Sequence, residues 1–198
     1  MKQKVLFILL NNYADWEGAY LASCLQNGIM EDSPTPYEVK TVAPTLEVVT
    51  SLGGFRTVPD YSFDTMPSDY AALVLIGGLQ WNTREAQRVA PILRRAIAQH
   101  KIIGAICNGA SFMARKGFLN TVKHTGNGLE HLRSWGGKAY TNASAFVRRQ
   151  AVTDQRIVTA NGTGALEFAR ELLLLLQADA QNRIFLYYNF NKNGLFEE

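Results

Sequence analysis

Short unbroken apolar runs alternate along this chain with longer stretches whose apolar positions recur at helical spacing. Residues 5–10 (VLFILL), 70–76 (YAALVLI) and 102–106 (IIGAI) are such runs, the pattern of strands covered on both faces of a parallel sheet. Residues 37–42 alternate instead and predict a second strand. Residues 46–50 and 55–58 flank Ser51-Leu52-Gly53-Gly54 and predict a small hairpin. Loops are expected over 11–15, 31–36 and 59–68, the last with room for one helical turn. Helices are predicted over 16–26, from Asn82 to about Gln99, and from just after Cys107 to Gly117. Asn82 is the expected cap, with Glu85 three residues on as in a capping box. Between 119 and 135 the pattern weakens to loop, with a short strand near His124 and a helical turn near Glu130. Residues 145–160 read as two short strands around Thr153-Asp154-Gln155, the second over 156–159. Asn161-Gly162-Thr163-Gly164 then opens an apolar helix to about Gln177, and the aromatic stretch 178–188 forms the last helix. No repeat or linker interrupts this alternation. It predicts one α/β domain over 1–198, a three-layer α/β/α sandwich with a mainly parallel sheet. In such sheets the site lies at the carboxyl ends of the strands.

Composition narrows the picture only slightly. The 198 residues suit one well-packed domain. A formal charge of +3 is too small to argue for nucleic acid or a membrane surface. Pairs such as Arg94-Arg95 and Arg148-Arg149 read as solvated faces. No apolar run is long enough to span a bilayer. The opening MKQKVLFILLNN has a short apolar core that ends in Asn11-Asn12 without a small-residue cleavage site, so it reads as a first strand. Two distant cysteines suggest free thiols in a reducing compartment, and a cytoplasmic location is expected. Three scattered histidines and two cysteines show no metal-ligand spacing, so neither metal nor cofactor is expected. The LLLLLQ run and the tail RIFLYYNF offer more apolar surface than one small domain covers, which predicts a homodimer.

The candidate chemistry centres on KIIGAICNGASFMAR, residues 101–115. Ala105-Ile106-Cys107-Asn108-Gly109 follows the pattern of a nucleophile elbow: small residue, any, nucleophile, any, glycine. A helix starting at the thiol aims its unpaired N–H groups and the positive end of its dipole at sulfur, an environment that lowers a thiol pKa. The other reading is a buried cysteine ending a core strand. Three further features fall near the same sheet edge: Glu17 after the first strand, Gly77-Gly78 after YAALVLI, and His124. Each has an ordinary explanation, as a first-turn acid, a tight turn and a surface histidine respectively. Cys24, mid-helix on an apolar face, reads as core.

Taken together, VLFILL, DWEGAY, LVLIGG, AICNGA and RIVTANGTGALEFA resemble the ThiJ/PfpI superfamily over nearly the whole chain. The resemblance implies a flavodoxin-like fold of the class I glutamine amidotransferase type. It implies Cys107 as elbow nucleophile, Glu17 as the acid after the first strand, and Gly78 with the Asn108 N–H on the oxyanion side. His124 would match a loop histidine of some branches. Two departures stand out. The protease branch carries histidine directly after its nucleophile, where this chain has Asn108. Glutamine amidotransferases carry a His-x-Glu pair near the end of the sheet, where this chain has Gly162-Thr163-Gly164. The leading expectation is a cysteine-dependent hydrolase or lyase acting on a small-molecule or peptide substrate, of the deglycase or glyoxalase kind. An intracellular peptidase or amidase, and a redox sensor whose Cys107 oxidises without turnover, remain open.

Overall fold

The computed structural model describes residues 2–30 and 33–194. Residues 31 and 32 of the loop expected over 31–36, and the ends of the domain expected over 1–198, lie outside the described residues. In chain order the elements are β1 (Gln3–Ile8), α1 (Asp15–Asn27), β2 (Tyr37–Ala43), β3 (Val49–Thr50), β4 (Arg56–Thr57), β5 (Tyr61–Ser62) and β6 (Ala72–Leu75). There follow α2 (Arg84–Gln87), α3 (Val89–Ala98), β7 (Ile102–Ile106), α4 (Asn108–Arg115), α5 (Leu129–Gly136), β8 (Ala151–Asp154), β9 (Ile157–Ala160), α6 (Ala165–Leu176) and α7 (Gln181–Asn193).

Seven strands form one sheet in the order β5-β2-β1-β6-β7-β9-β8, while β3 and β4 form the predicted antiparallel hairpin. Every neighbour in the large sheet is parallel except β8, which turns back on β9. The apolar runs explain why the sheet is covered twice. Val5, Phe7 and Leu9 face α1, α6 and α7, whereas Leu6, Ile8 and Leu10 face α3, α4 and α5. Successive side chains on a strand point to opposite faces, so an unbroken apolar run can only rest between two helical layers. This is the flavodoxin-like sandwich. The chain leaves β1 for β2 on one side and later places β6 on the other, which opens a crevice at the carboxyl ends of β1 and β6.

Several departures have local causes. The helix expected from Asn82 is capped one residue later, where Thr83 Oγ1 accepts from Ala86 N–H. The Asn82 amide oxygen instead accepts from Arg115. That helix also breaks at Arg88, because Pro91 has no N–H for the Gln87 carbonyl and is tolerated only in a first turn. The turn expected near Glu130 is the full helix α5, and the loop expected over 59–68 contains β5, which extends the sheet beyond β2. Leu172, Leu173 and Leu176 of the LLLLLQ run are buried. Leu174 and Leu175 of the same run are only partly buried, and Phe185 and Leu186 of the tail are exposed. Among the described residues no helix is long and apolar enough to cross a membrane.

Candidate active site

Cys107 sits where β7 stops and α4 starts, with φ 57° and ψ −124°. Positive φ is rare outside glycine and costs of order 1–3 kcal/mol. The flanking elements hold it: Cys107 N–H donates to Ala160 O at 2.9 Å on β9, and Ser111 N–H closes the first helical turn onto Cys107 O at 3.2 Å. The half-buried thiol is thereby turned toward the crevice.

Glu17 meets it there. This carboxyl, in the first turn of α1, is only 1% exposed. Its Oε2 accepts from Gly77 N–H at 2.7 Å, and the carboxyl is hydrogen-bonded to the Cys107 thiol. Gly77 permits this approach. A Cβ at that position would lie 2.4 Å from Glu17 Oε2 and 2.6 Å from Cys107 Cβ, so no larger residue passes between them. On the opposite side a Cβ at Gly162 would lie 3.1 Å from Sγ and 3.2 Å from Glu17 Oε1. Gly162 thus borders the pair directly.

Two amides complete the surroundings. Asn127 Nδ2–H donates to Cys107 Sγ at 3.2 Å while its Oδ1 accepts from Gly162 N–H at 2.9 Å. The Asn108 N–H also donates to the sulfur. Asn108 Nδ2–H donates to Gly78 O at 2.8 Å, which leaves its Oδ1 to accept from His131 Nε2–H at 3.2 Å. Gly78 bridges Tyr13 in antiparallel fashion. The bonds of that bridge are made by Gly77 O and Leu79 N, so the Gly78 N–H and C=O face away from Tyr13 toward α4. Its N–H has no partner among the described residues.

The structure corrects three expectations. His124 is not beside the thiol. It is fully buried, its Nδ1–H donates to Val122 O at 2.8 Å, and its Nε2 accepts from Tyr140 Oη–H at 2.7 Å. Burial lowers its pKa and keeps it neutral, so this histidine ties 122–124 to Tyr140. Gly77 N–H is occupied by Glu17 and is not open to an oxyanion. Nor is the thiol acidified. Burial, then the Glu17 carboxylate, push Cys107 up to about 11, against the opposing pull of Asn127 and Asn108. Asn127 is not singled out by sequence reasoning, which names Gly162 only for the histidine it lacks. Both lie in segments without periodicity, and an asparagine carries no catalytic signature. Among the described residues no three His, Cys, Asp or Glu side chains gather as a metal site.

Burial raises Glu17 from 4.5 to about 7, even though its bonds to Cys107 and Gly77 oppose the shift. The first proton leaving this pair near neutrality therefore belongs to both groups. Its loss yields carboxylate beside thiol, in exchange with carboxylic acid beside thiolate. The alkylation rate of Cys107 is accordingly expected to rise to a step near pH 7 and to climb again toward pH 11. A single midpoint at the value of a free thiol, with Cys24 as internal comparison, would show that the two groups titrate independently.

Against this geometry stand the comparisons with known proteins. The model of the DJ-1/PfpI family matches residues 3–175. A Bacillus subtilis protein named as an uncharacterized protease, YdeA, is 37% identical over 194 residues, covering 98% of this chain and 93% of that protein. A thiJ/pfpI family protein from Bacillus anthracis superposes with a TM-score of 0.92 at 31% identity, over 98% of this chain and 92% of its own. A DJ-1 superfamily protein from Agrobacterium tumefaciens does so with a TM-score of 0.86 at 30% identity, over 98% of this chain and all of its own. With the sheet order, the elbow cysteine and its buried carboxyl partner in place, the conclusion is that this chain belongs to the DJ-1/PfpI family.

Proposed function

We propose that this protein is a cysteine-dependent enzyme acting on small carbonyl compounds, with Cys107 as nucleophile and Glu17 as its sole proton carrier. The observation that carries this reading is the hydrogen-bonded Glu17–Cys107 pair, with Glu17 raised to about 7. A carboxyl poised at the operating pH can take a proton and return it. The thiol proton passes to Glu17 as sulfur bonds to the carbonyl carbon. The new oxyanion is met by the Gly78 N–H and by the Asn108 N–H, which sulfur gives up as its electron pair enters the new bond. On a 2-oxoaldehyde the resulting hemithioacetal needs one more transfer. Glu17 first returns the thiol proton to the oxyanion. Its carboxylate then removes the proton from the sulfur-bearing carbon and delivers it to the neighbouring carbon, while the hydroxyl proton on the first oxygen passes to the second, leaving a thioester beside a new hydroxyl. Water then cleaves the thioester, and the overall balance is 2-oxoaldehyde plus water giving 2-hydroxy acid.

The protease names of the Bacillus subtilis relatives favour a second reading, amide cleavage by the same thiol. Asn108 stands where the protease branch has its histidine, and among the described residues no histidine bonds Sγ. Incubating the purified protein with methylglyoxal and, separately, with peptide substrates distinguishes the two. We expect 2-hydroxy acid by proton NMR and intact peptides. Peptide cleavage with methylglyoxal untouched would transfer the assignment to an amidase. Turnover of neither, with ready oxidation of Cys107 by dilute peroxide, would transfer it to sensing.

A further inference from the structure

Beside the thiol lies an open cleft of about 360 Å³ lined by Thr125, Asn127, Phe146, Arg148, Arg149 and Asn161, among others. Asn127 belongs to both places, since it lines this cleft and donates to Cys107 Sγ. Arg148 and Arg149 are exposed on its rim. Neither forms an ion pair with any described residue, although other charged side chains among the described residues do. Read from the sequence alone, the two arginines were simply a solvated face. Their backbone, however, is fastened to the loop that carries the site. Arg149 O accepts from Thr125 Oγ1–H at 2.8 Å, and Gln150 O accepts from Asn161 N–H at 3.1 Å. Asn161 Nδ2–H donates to Gln150 Oε1, and Thr163 Oγ1–H donates to Asn161 Oδ1 at 2.8 Å. Gly162, next to Asn161, borders the thiol closely enough that a Cβ there would lie 3.1 Å from Sγ. Two uncompensated guanidinium groups are thus held at the mouth of a cleft whose inner wall reaches the nucleophile.

We infer that Arg148 and Arg149 are specificity residues that select carbonyl substrates bearing a negative charge. A guanidinium presents a rigid fork of donors suited to carboxylate or phosphate oxygens. Positive charge at a cleft mouth also concentrates anions by tenfold or more when salt is low. The inference rests on the proposed enzymatic reading only for the word substrate, because the attraction of anions to Cys107 is measurable without turnover.

Iodoacetate and iodoacetamide alkylate the same thiolate and differ in charge. The ratio of their rates on Cys107 therefore cancels both thiolate fraction and general access. In the wild type this ratio is expected to exceed that of the double variant Arg148→Gln/Arg149→Gln by about fivefold or more at low salt. The excess is expected to shrink at high salt and to be largely kept by Arg148→Lys/Arg149→Lys. An unchanged ratio in the glutamine variant overturns the inference. Normal turnover with an unchanged ratio overturns this inference alone. A lost ratio in the variant, with no turnover of any carbonyl compound by the wild type, overturns the enzymatic reading and leaves an anion-selecting thiol.

Discussion

Cys107→Ser is expected to lower kcat/KM on methylglyoxal by at least about 10³-fold, with folding intact. Serine keeps the size, the hydrogen-bonding capacity and the backbone demand of the position, so the 57° φ at the elbow is neither relieved nor worsened. The nucleophile is what changes. A thiol raised to about 11 still leaves through Glu17, because the pair releases its first proton near 7. An alcohol, many orders of magnitude less acidic, cannot share that proton with a carboxyl of this pKa. Cys24→Ala provides the contrast. Cys24 is 2% exposed in the core against α6 and α7. Its loss is expected to cost about 1 kcal/mol of stability and to leave kcat unchanged. Equal activity loss in both variants would mean that the effect at Cys107 is structural. Circular dichroism melts recorded alongside the kinetics make that distinction.

How far the sequence reaches this site depends on the kind of signal each residue carries. Cys107 is legible because an elbow needs small residues at fixed offsets, and Ala105 and Gly109 supply them. Glu17 and Gly77-Gly78 are legible through topology, since residues just after parallel strands meet at one edge. His124 is misread for the same reason that makes it attractive, as histidine is prominent by type. Its ring nitrogens serve Val122 and Tyr140 instead, and nothing in its neighbours' spacing reveals that. Asn127 and Gly162 face the opposite difficulty. Asn127 donates to sulfur, and Gly162 leaves little room for a side chain beside thiol and carboxyl, through loop geometry that no periodicity encodes. The fold was read more completely than the site, because burial on two faces leaves a continuous apolar imprint over many residues. Its errors fall where a single residue decides, as at Pro91 splitting α2 from α3. The acidity of the thiol was misjudged because helix-dipole reasoning takes no account of a buried carboxyl on the other side.

That buried carboxyl sets up the second large effect, in which Glu17→Gln is expected to remove activity and add stability together. Burial raises Glu17 from 4.5 to about 7, so the folded state holds a proton that the unfolded chain gives up. Stability is therefore full below pH 4.5 and is lost as pH rises through 7. A rise of this size in a group only 1% exposed amounts to about 3 kcal/mol at pH 8. Glutamine has no proton to lose. Its amide oxygen keeps the Gly77 N–H bond, and its NH₂ group points a donor toward sulfur. At pH 8 the variant is expected to melt roughly 5–10 °C above the wild type, and at pH 4.5 to melt with it. The same substitution deletes the proton carrier, for a loss of about 10²–10⁴-fold in kcat, and it abolishes the step near pH 7 in Cys107 alkylation. A variant that melts identically to the wild type at pH 8 would show that Glu17 is ionised at no cost, and so is not the base proposed for it. Stability surrendered at one carboxyl is what a proton carrier at neutral pH requires, since the solvation that would stabilise its charge would also return its pKa to 4.5.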